Sequence, residues 1–143
     1  MRTEDTRFPR PAAVPYLAVK GARDAIDWYG RVLGAVVEGD PYVGDDGSIG
    51  HAALRIGDGV VYLADEAPSY GAVAPTGPGA AVSLMLPVAD VRTTLDAAIA
   101  EGATADDRGV YEGYGTDNAW FVDPFGHRWG ISGPVGGEGR GGS

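Results

Sequence analysis

Residues 14–34 read VPYLAVKGARDAIDWYGRVLG, and this stretch decides the fold of the chain. Its first part, residues 14–19, alternates apolar side chains between two faces, which predicts a β-strand. Apolar residues then recur every three or four positions from 22 to 33, which predicts an amphipathic helix. Gly34 follows at the position where a helix often ends in the left-handed conformation. The stretch therefore predicts a strand followed directly by a helix.

The same order returns in the second half of the chain. Residues 81–86 predict another strand, and Asp90 is a good N-cap for a helix that ends at Gly102. The repetition predicts two related modules, and each would leave one sheet face bare unless the two modules pair. Matching residues occur in the two predicted helices at a constant separation along the chain: Arg23 with Arg92, Ile26 with Leu95, and Asp27 with Asp96.

Three further strands complete each predicted module, and the last two of each form a hairpin across a glycine-containing turn. The predicted strands are residues 35–43, 51–56 and 60–64 in the first half and 104–109, 117–122 and 128–132 in the second. The expected organisation is a flexible arm (1–13), module one (14–65), a linker (66–80), module two (81–132) and a disordered Gly-rich tail (133–143).

Composition restricts the class of protein. The chain has 143 residues, 44% of them hydrophobic and 22% charged, which is typical of one soluble globular domain. It contains no cysteine, so disulfides, thiolate metal sites and cysteine nucleophiles are excluded. The formal net charge of −9 argues against nucleic acid or an anionic membrane as a partner and, if it reflects a ligand at all, favours a cationic one. No apolar run approaches a membrane span and no signal peptide is visible, so we expect a cytoplasmic protein.

Two motifs add a family resemblance to this pattern. One is Asp27-Trp28-Tyr29 followed by Val32-Leu33-Gly34, and the other is the hairpin DPFGHRW at residues 123–129. Together with the order of the elements, they resemble the glyoxalase and bleomycin-resistance group of the vicinal-oxygen-chelate superfamily. The resemblance implies an α+β fold in which two βαβββ modules form a U-shaped β trough, and it implies a homodimer that binds a small molecule.

Metal-dependent members of that group place His, Glu or Gln at four strand positions that face the trough. The resemblance puts those positions at Val14, Tyr62, Ser83 and Gly130. Valine and glycine have no ligand side chain, and serine and neutral tyrosine are poor ligands for zinc, iron or manganese. We therefore expect neither a metal nor another cofactor in this chain.

Strand alternation sorts the remaining side chains between the core and the trough. Those expected to pack under the helices are Leu17, Val19, Leu54, Ile56, Val61, Leu63, Leu84, Leu86, Phe121, Trp129 and Ile131. The opposite parity supplies the mixture of aromatic, apolar and polar groups that is typical of a small-molecule pocket, and a glycine-rich stretch with Tyr111 and Tyr114 can form a flap over it. The residues expected to bind a ligand are Tyr16, His51, Arg55, Tyr62, Ser83, Met85, Tyr111, Trp120 and Arg128.

These candidates have different expected roles. Trp120 and Tyr62 are the expected stacking residues for a flat ring. Arg55 and Arg128 can pair with an acidic group of the ligand, extend into solvent, or bridge to an Asp or Glu of the chain. His51 can hydrogen-bond the ligand or act as a base near neutral pH. The residues interpreted as structural are Trp28, His127 and Trp129.

Two functions fit this pattern. The first is metal-independent binding and sequestration of a toxic small molecule, either a planar polycyclic antibiotic or a cationic bleomycin-like glycopeptide. The second is a metal-independent lyase or isomerase in which His51 acts as base and Arg55 or Tyr62 stabilises developing charge. Binding is the leading hypothesis, and no catalytic residue is assigned because no spacing in the sequence requires one.

Overall fold

The protein consists of two modules, each a β-sheet with one helix packed on it. The computed structural model describes residues 12–137. The elements of module one are β1 (Tyr16–Val19), α1 (Ala22–Leu33), β2 (Val36–Val43), β3 (Ile49–Ile56) and β4 (Gly59–Asp65). Those of module two are β5 (Ser83–Pro87), α2 (Val91–Ala100), β6 (Thr104–Ala105), β7 (Tyr111–Gly113), β8 (Thr116–Val122) and β9 (Arg128–Gly133). The predicted α+β fold of two repeated modules is confirmed.

The two sheets share one topology. The strand order is β1-β4-β3-β2 in module one and β5-β9-β8-β6 in module two, and β7 also pairs with β8. In both sheets the strand before the helix pairs parallel with the last strand, while the other pairs are antiparallel. Neither helix described between residues 12 and 137 is long and apolar enough to cross a membrane.

Some boundaries differ from those predicted. Of the strand expected over residues 104–109, only β6 at Thr104–Ala105 is present, because a turn at 106–109 ends it, and β7 begins at Tyr111, beyond the predicted range. Tyr111 lies in β7 and pairs with Asn118, whereas Tyr114 lies in the turn between β7 and β8 and is fully exposed. Gly133 completes β9, and Gly136 N donates to Asp117 Oδ2 at 3.0 Å, so the start predicted for a disordered tail is too early. Most of the predicted arm (1–13) and the rest of the tail lie outside the described residues.

The helices cover one face of each sheet, and both modules share one hydrophobic core. Alternation along the strands predicted this core correctly, because the side chains expected under the helices are either buried or packed against the buried ones. Leu84 and Leu86 on β5 are the partly buried members of that set. Burial of these apolar side chains provides most of the driving force for folding.

A buried carboxylate connects the two modules. Asp123, in the turn between β8 and β9, is only 3% exposed. Its Oδ2 accepts hydrogen bonds from the Tyr29 hydroxyl of α1 and from Trp129 Nε1, the latter at 2.9 Å. Its Oδ1 accepts from the backbone N–H groups of Phe125 at 2.9 Å and His127 at 3.0 Å. Four donors from both modules thus compensate for the loss of solvent around one charge.

Further hydrogen bonds support the contact between the modules. Trp28 Nε1 donates to the backbone oxygen of Glu101 at the end of α2, at 2.8 Å. His127 Nε2 lies 2.9 Å from the backbone oxygen of Ala18 on β1. These contacts agree with the structural roles predicted for Trp28 and His127. The helical sides of the two modules therefore pair within one chain.

The hydrogen bond from Tyr29 to Asp123 makes the unfolding free energy depend on pH. Burial raises the pKa of Tyr29 well above its usual value, and the charge of Asp123 raises it further. The unfolded chain therefore loses this proton near pH 10 while the folded protein keeps it, so the contribution to the unfolding free energy is complete below about pH 10 and falls above it. We expect a decline of up to about 1.4 kcal/mol per pH unit from this group, measured by urea unfolding at pH 8 to 11.

The variant Tyr29→Phe should lower the unfolding free energy at pH 8 by about 1–3 kcal/mol, because Asp123 loses a buried donor, and it should make the alkaline decline shallower. The decline should not vanish, because the pKa of Tyr16 is also raised. Tyr70→Phe, at an exposed side chain, is the control and should keep the parent slope. An unchanged slope in Tyr29→Phe would contradict this assignment.

Candidate functional site

The predicted ligand-binding residues lie mainly on the sheet faces opposite the helices, which we call the open faces. Along β4, for example, the side chains of Val61 and Leu63 are buried in the core, whereas Tyr62 is partly exposed on the other side. Met85 on β5 is 60% exposed, a high value for an apolar side chain in a strand. Each open face therefore carries a separate set of candidates.

On the open face of module one, Tyr16, His51 and Tyr62 form an aromatic group that we call the module-one cluster. The ring centroids are 5.5 Å apart for Tyr16 and His51, 5.6 Å for Tyr16 and Tyr62, and 4.9 Å for His51 and Tyr62. The Tyr16 hydroxyl lies 2.8 Å from His51 Nδ1 and 3.3 Å from the backbone oxygen of Gly50. Burial, and next the neighbouring Tyr62, raise the pKa of Tyr16 above its usual value.

Arg55 does not join this cluster. Its Nε lies 3.4 Å from Glu38 Oε2 on the adjacent strand β2, and both side chains are about half exposed. A surface ion pair of this kind contributes little to stability, but it supplies the guanidinium with an anion.

On the open face of module two, Ser83, Met85, Tyr111, Trp120 and Arg128 form the module-two cluster. Trp120 Nε1 donates to the Tyr111 hydroxyl at 2.9 Å. The guanidinium carbon of Arg128 lies 4.0 Å from the centroid of the Trp120 ring, and its Nη1 donates to Ser83 Oγ at 2.9 Å. Trp120 is therefore fixed at its N–H and covered on one ring face by a cation.

Gly130 has a steric role in the module-two cluster that the sequence did not reveal. A Cβ at this residue would lie 2.6 Å from Met85 Sδ and 2.7 Å from Trp120 Cζ3, closer than real atoms approach. Only glycine therefore allows the Trp120 ring and Met85 to lie against the sheet at this point. The pairing of Trp120 with Gly130 across the predicted hairpin is the signal that would have indicated this.

The candidates thus form two groups and not one. No hydrogen bond, ion pair or ring contact joins Tyr62 to Trp120 among residues 12–137. Arg108 was not among the candidates, yet its guanidinium carbon lies 4.4 Å from the centroid of the Tyr111 ring. The alternation of side chains along a strand predicts the sheet face on which each side chain lies, but not which residues of other strands it contacts.

A cleft of about 730 Å³ lies beside β1, next to the module-one cluster. Small-molecule sites usually have volumes of roughly 300–1,000 Å³, so this cleft is large enough for a drug-sized ligand. Tyr16 forms part of its wall, and His127 contributes to it in addition to its structural contact. Other lining residues are Ala18, Ser48, Ala64, Glu66, Tyr70 and Val73.

The side chains do not provide a metal site in the described part of the chain. Between residues 12 and 137, no three His, Cys, Asp or Glu side chains come together in a way that would hold a metal ion. The strand positions named above carry Tyr62, Ser83 and Gly130, and their contacts are with aromatic, apolar and guanidinium groups. This donor set does not fit zinc, iron or manganese.

Comparison with known proteins gives the family. The model of the Glyoxalase/Bleomycin resistance protein/Dioxygenase superfamily matches residues 11–131. The chain belongs to this superfamily.

Relatives and solved structures agree with that membership. The uncharacterized protein Rv0887c of Mycobacterium tuberculosis is 36% identical over 129 residues, which cover 87% of this chain and 75% of the relative. The crystal structure of PA1353 from Pseudomonas aeruginosa has a TM-score of 0.68 at 25% identity and covers 87% of this chain and 98% of its own. TioX from Micromonospora sp. ML1 has a TM-score of 0.64 at 26% identity, with 86% and 95% coverage. The resemblance inferred from the sequence motifs is thereby confirmed at the level of superfamily and fold.

The donor set leads to a prediction about metals. Protein purified without an affinity tag should contain far less than one zinc, iron, manganese or nickel per chain by elemental analysis, because no three suitable side chains converge in the part of the chain that the structure describes. Calorimetric titration with zinc should likewise give no stoichiometric binding. A metal bound one to one, whose removal abolishes ligand binding, would show that this expectation is wrong.

Proposed function

We propose that the protein binds and sequesters a planar, partly aromatic small molecule, such as an antibiotic, in the cytoplasm and without a metal. The observation that carries the proposal is the chemistry of the open faces. They bear two aromatic clusters at the places where a metal-dependent relative would need imidazole or carboxylate ligands. Aromatic faces give large contact area at small cost in side-chain entropy, which suits the holding of a flat molecule.

Superfamily membership supports this proposal but does not distinguish binding from an enzymatic function. The superfamily name covers enzymes as well as bleomycin resistance proteins, so both kinds of function are available to the fold. A sequestering protein requires shape and contact area but no reactive group. The cleft beside β1 provides space next to the module-one cluster, and Tyr16 belongs to both.

An enzymatic function is the second candidate, and the pair of Tyr16 and His51 is the observation that favours it. At 2.8 Å, the Tyr16 hydroxyl either donates to His51 Nδ1 or accepts from it. If it accepts, and donates instead to the Gly50 backbone oxygen, His51 Nε2 is free to act as a base. If it donates, Nε2 carries the proton and can only donate to a ligand. Arg55 is paired with Glu38, so the charge-stabilising role expected for it is less available than that of Tyr62.

The binding proposal predicts that aromatic side chains dominate affinity. Trp120→Ala should weaken binding of a planar polycyclic ligand at the module-two cluster at least about tenfold, because truncation of an aromatic anchor costs about 2 kcal/mol. Tyr62→Ala should have a somewhat smaller effect on a ligand bound at the module-one cluster. The measurement is calorimetric titration with ligands first selected by tryptophan quenching from a panel of natural-product toxins. Ile99→Ala, at an exposed residue on the outer side of α2, is the matched control and should bind like the parent.

His51→Ala separates the two candidate functions. A binder should retain most of its affinity in this variant and should return its ligand chemically unchanged after long incubation. Loss of a measured turnover in His51→Ala would establish the enzyme instead. Parent-like affinity in Trp120→Ala would exclude aromatic stacking at this residue.

We also propose that the protein is a homodimer, as the family resemblance implies. Strand β2 supports this, because it is the edge strand of the module-one sheet and both of its faces carry exposed apolar side chains. Val36 is 50% exposed, Val43 47% and Tyr42 67%. Exposed apolar side chains on an edge strand often mark a contact with another chain.

Light scattering should give about twice the monomer mass at micromolar concentration. Val36→Glu should shift the protein toward monomer, since a charge on this strand would have to lose its water in the interface. Ile99→Glu, an equally exposed position on α2, is the control. A parent protein that is monomeric and still binds ligand tightly would show that the site is complete in one chain.

A further inference from the structure

The module-two cluster contains one guanidinium, that of Arg128, which has no ion-pair partner within residues 12–137. Arg55 pairs with Glu38 and Arg108 with Asp106, at 3.4 and 3.0 Å. Arg128 makes no ion pair within residues 12–137, and its guanidinium has a single hydrogen bond there, from Nη1 to Ser83 Oγ. A serine hydroxyl is neutral, so it does not balance the charge.

The carboxylate of Asp106, whose charge interacts with that of Arg128, already pairs with Arg108. Asp106 Oδ2 accepts from Arg108 Nε at 3.3 Å and from Arg108 Nη2 at 3.0 Å. These bonds hold the pKa of Asp106 below its usual range, and the charges of Arg108 and Arg128 act in the same direction. Asp106 forms its hydrogen bonds with Arg108 and none with Arg128. The charge of Arg128 is therefore not neutralised by a direct ion pair with this carboxylate.

The geometry also fixes Arg128 in a defined orientation. Its guanidinium lies over the Trp120 ring, whose N–H is held by Tyr111 and whose six-membered ring rests against Gly130. The hydrogen bond to Ser83 fixes one corner of the same guanidinium. Its remaining N–H groups form the planar fork that matches the two oxygens of a carboxylate.

We propose that Arg128 recognises a carboxylate on a planar aromatic ligand, so that the anion pairs with the guanidinium while the ring lies against the aromatic groups of the module-two cluster. This inference rests on the proposed binding function and narrows its ligand to an acid. A cationic glycopeptide does not fit this face, because Arg128 and Arg108 would repel it.

The net charge of −9 does not oppose this ligand. Solvent and salt screen surface charges beyond a Debye length of about 8–10 Å at physiological ionic strength, whereas a direct contact with a partly buried guanidinium is screened much less. Local pairing therefore outweighs the mean charge of the protein. The distant carboxylates should lower the rate of association more than the final affinity.

The test uses two ligands with the same ring, 2-naphthoate and its neutral amide 2-naphthamide, titrated calorimetrically into the full chain. The acid should bind the parent at least about tenfold more tightly than the amide. In Arg128→Gln this preference should fall to about one, mainly through weaker binding of the acid. Arg128→Lys, which keeps the charge but loses the flat fork, should retain part of the preference.

Arg31→Gln is the matched control, because it removes the same charge from an exposed pair with Glu101 on the helical side and should keep the preference of the parent. Equal affinity of the parent for acid and amide, or an acid preference that survives in Arg128→Gln, would overturn this inference while the binding function remained. Failure of both naphthalene compounds to bind at millimolar concentration would overturn the inference. If the toxin panel also failed, the proposed function would fall with it.

Discussion

The hydrogen-bonded carboxylate of Asp123 is the contact on which the arrangement of the two modules depends. A buried charge is tolerated only when nearly all of its lone pairs are satisfied, and here donors from α1, from β9 and from the connecting turn do so. Because Tyr29 supplies one of these donors, helix α1 of module one must lie against the β8–β9 turn of module two. That orientation directs the helical face of each sheet inward and leaves the other face open.

The sequence predicted the fold well because the relevant signals are local. Alternation along strands, helical spacing and the Asp90 cap each depend on a few neighbouring residues, and the Asp90 side chain does accept from Thr93 N at 3.0 Å. The break between β6 and β7 was not predictable in this way. Both short strands are defined by pairing with β8, and their own residues give only a weak strand signal.

The candidate site was less predictable, because parity gives a face and no more. Tyr62 and Trp120 were expected to share one ligand, yet Tyr62 contacts Tyr16 and His51 while Trp120 contacts Tyr111 and Arg128. Which rotamer a long side chain adopts depends on the space left by residues on other strands. At Gly130 that space exists because glycine has no side chain. From the sequence, this glycine indicated only the loss of a metal ligand.

The two modules use one scaffold to build different surfaces. In the first sheet a row of paired residues runs from Tyr16 through Tyr62 to Ala53, with its large side chains on β1 and β4. In the second the corresponding row is Met85, Gly130 and Trp120, with its largest side chain on β8 and none in the middle. The same backbone pairing thus places Tyr16 and Tyr62 with His51 on one open face. On the other it places the Arg128 guanidinium over the Trp120 ring. Because the side chains differ while the strands correspond, each open face has its own chemistry, and the guanidinium that we propose binds a carboxylate lies on the second.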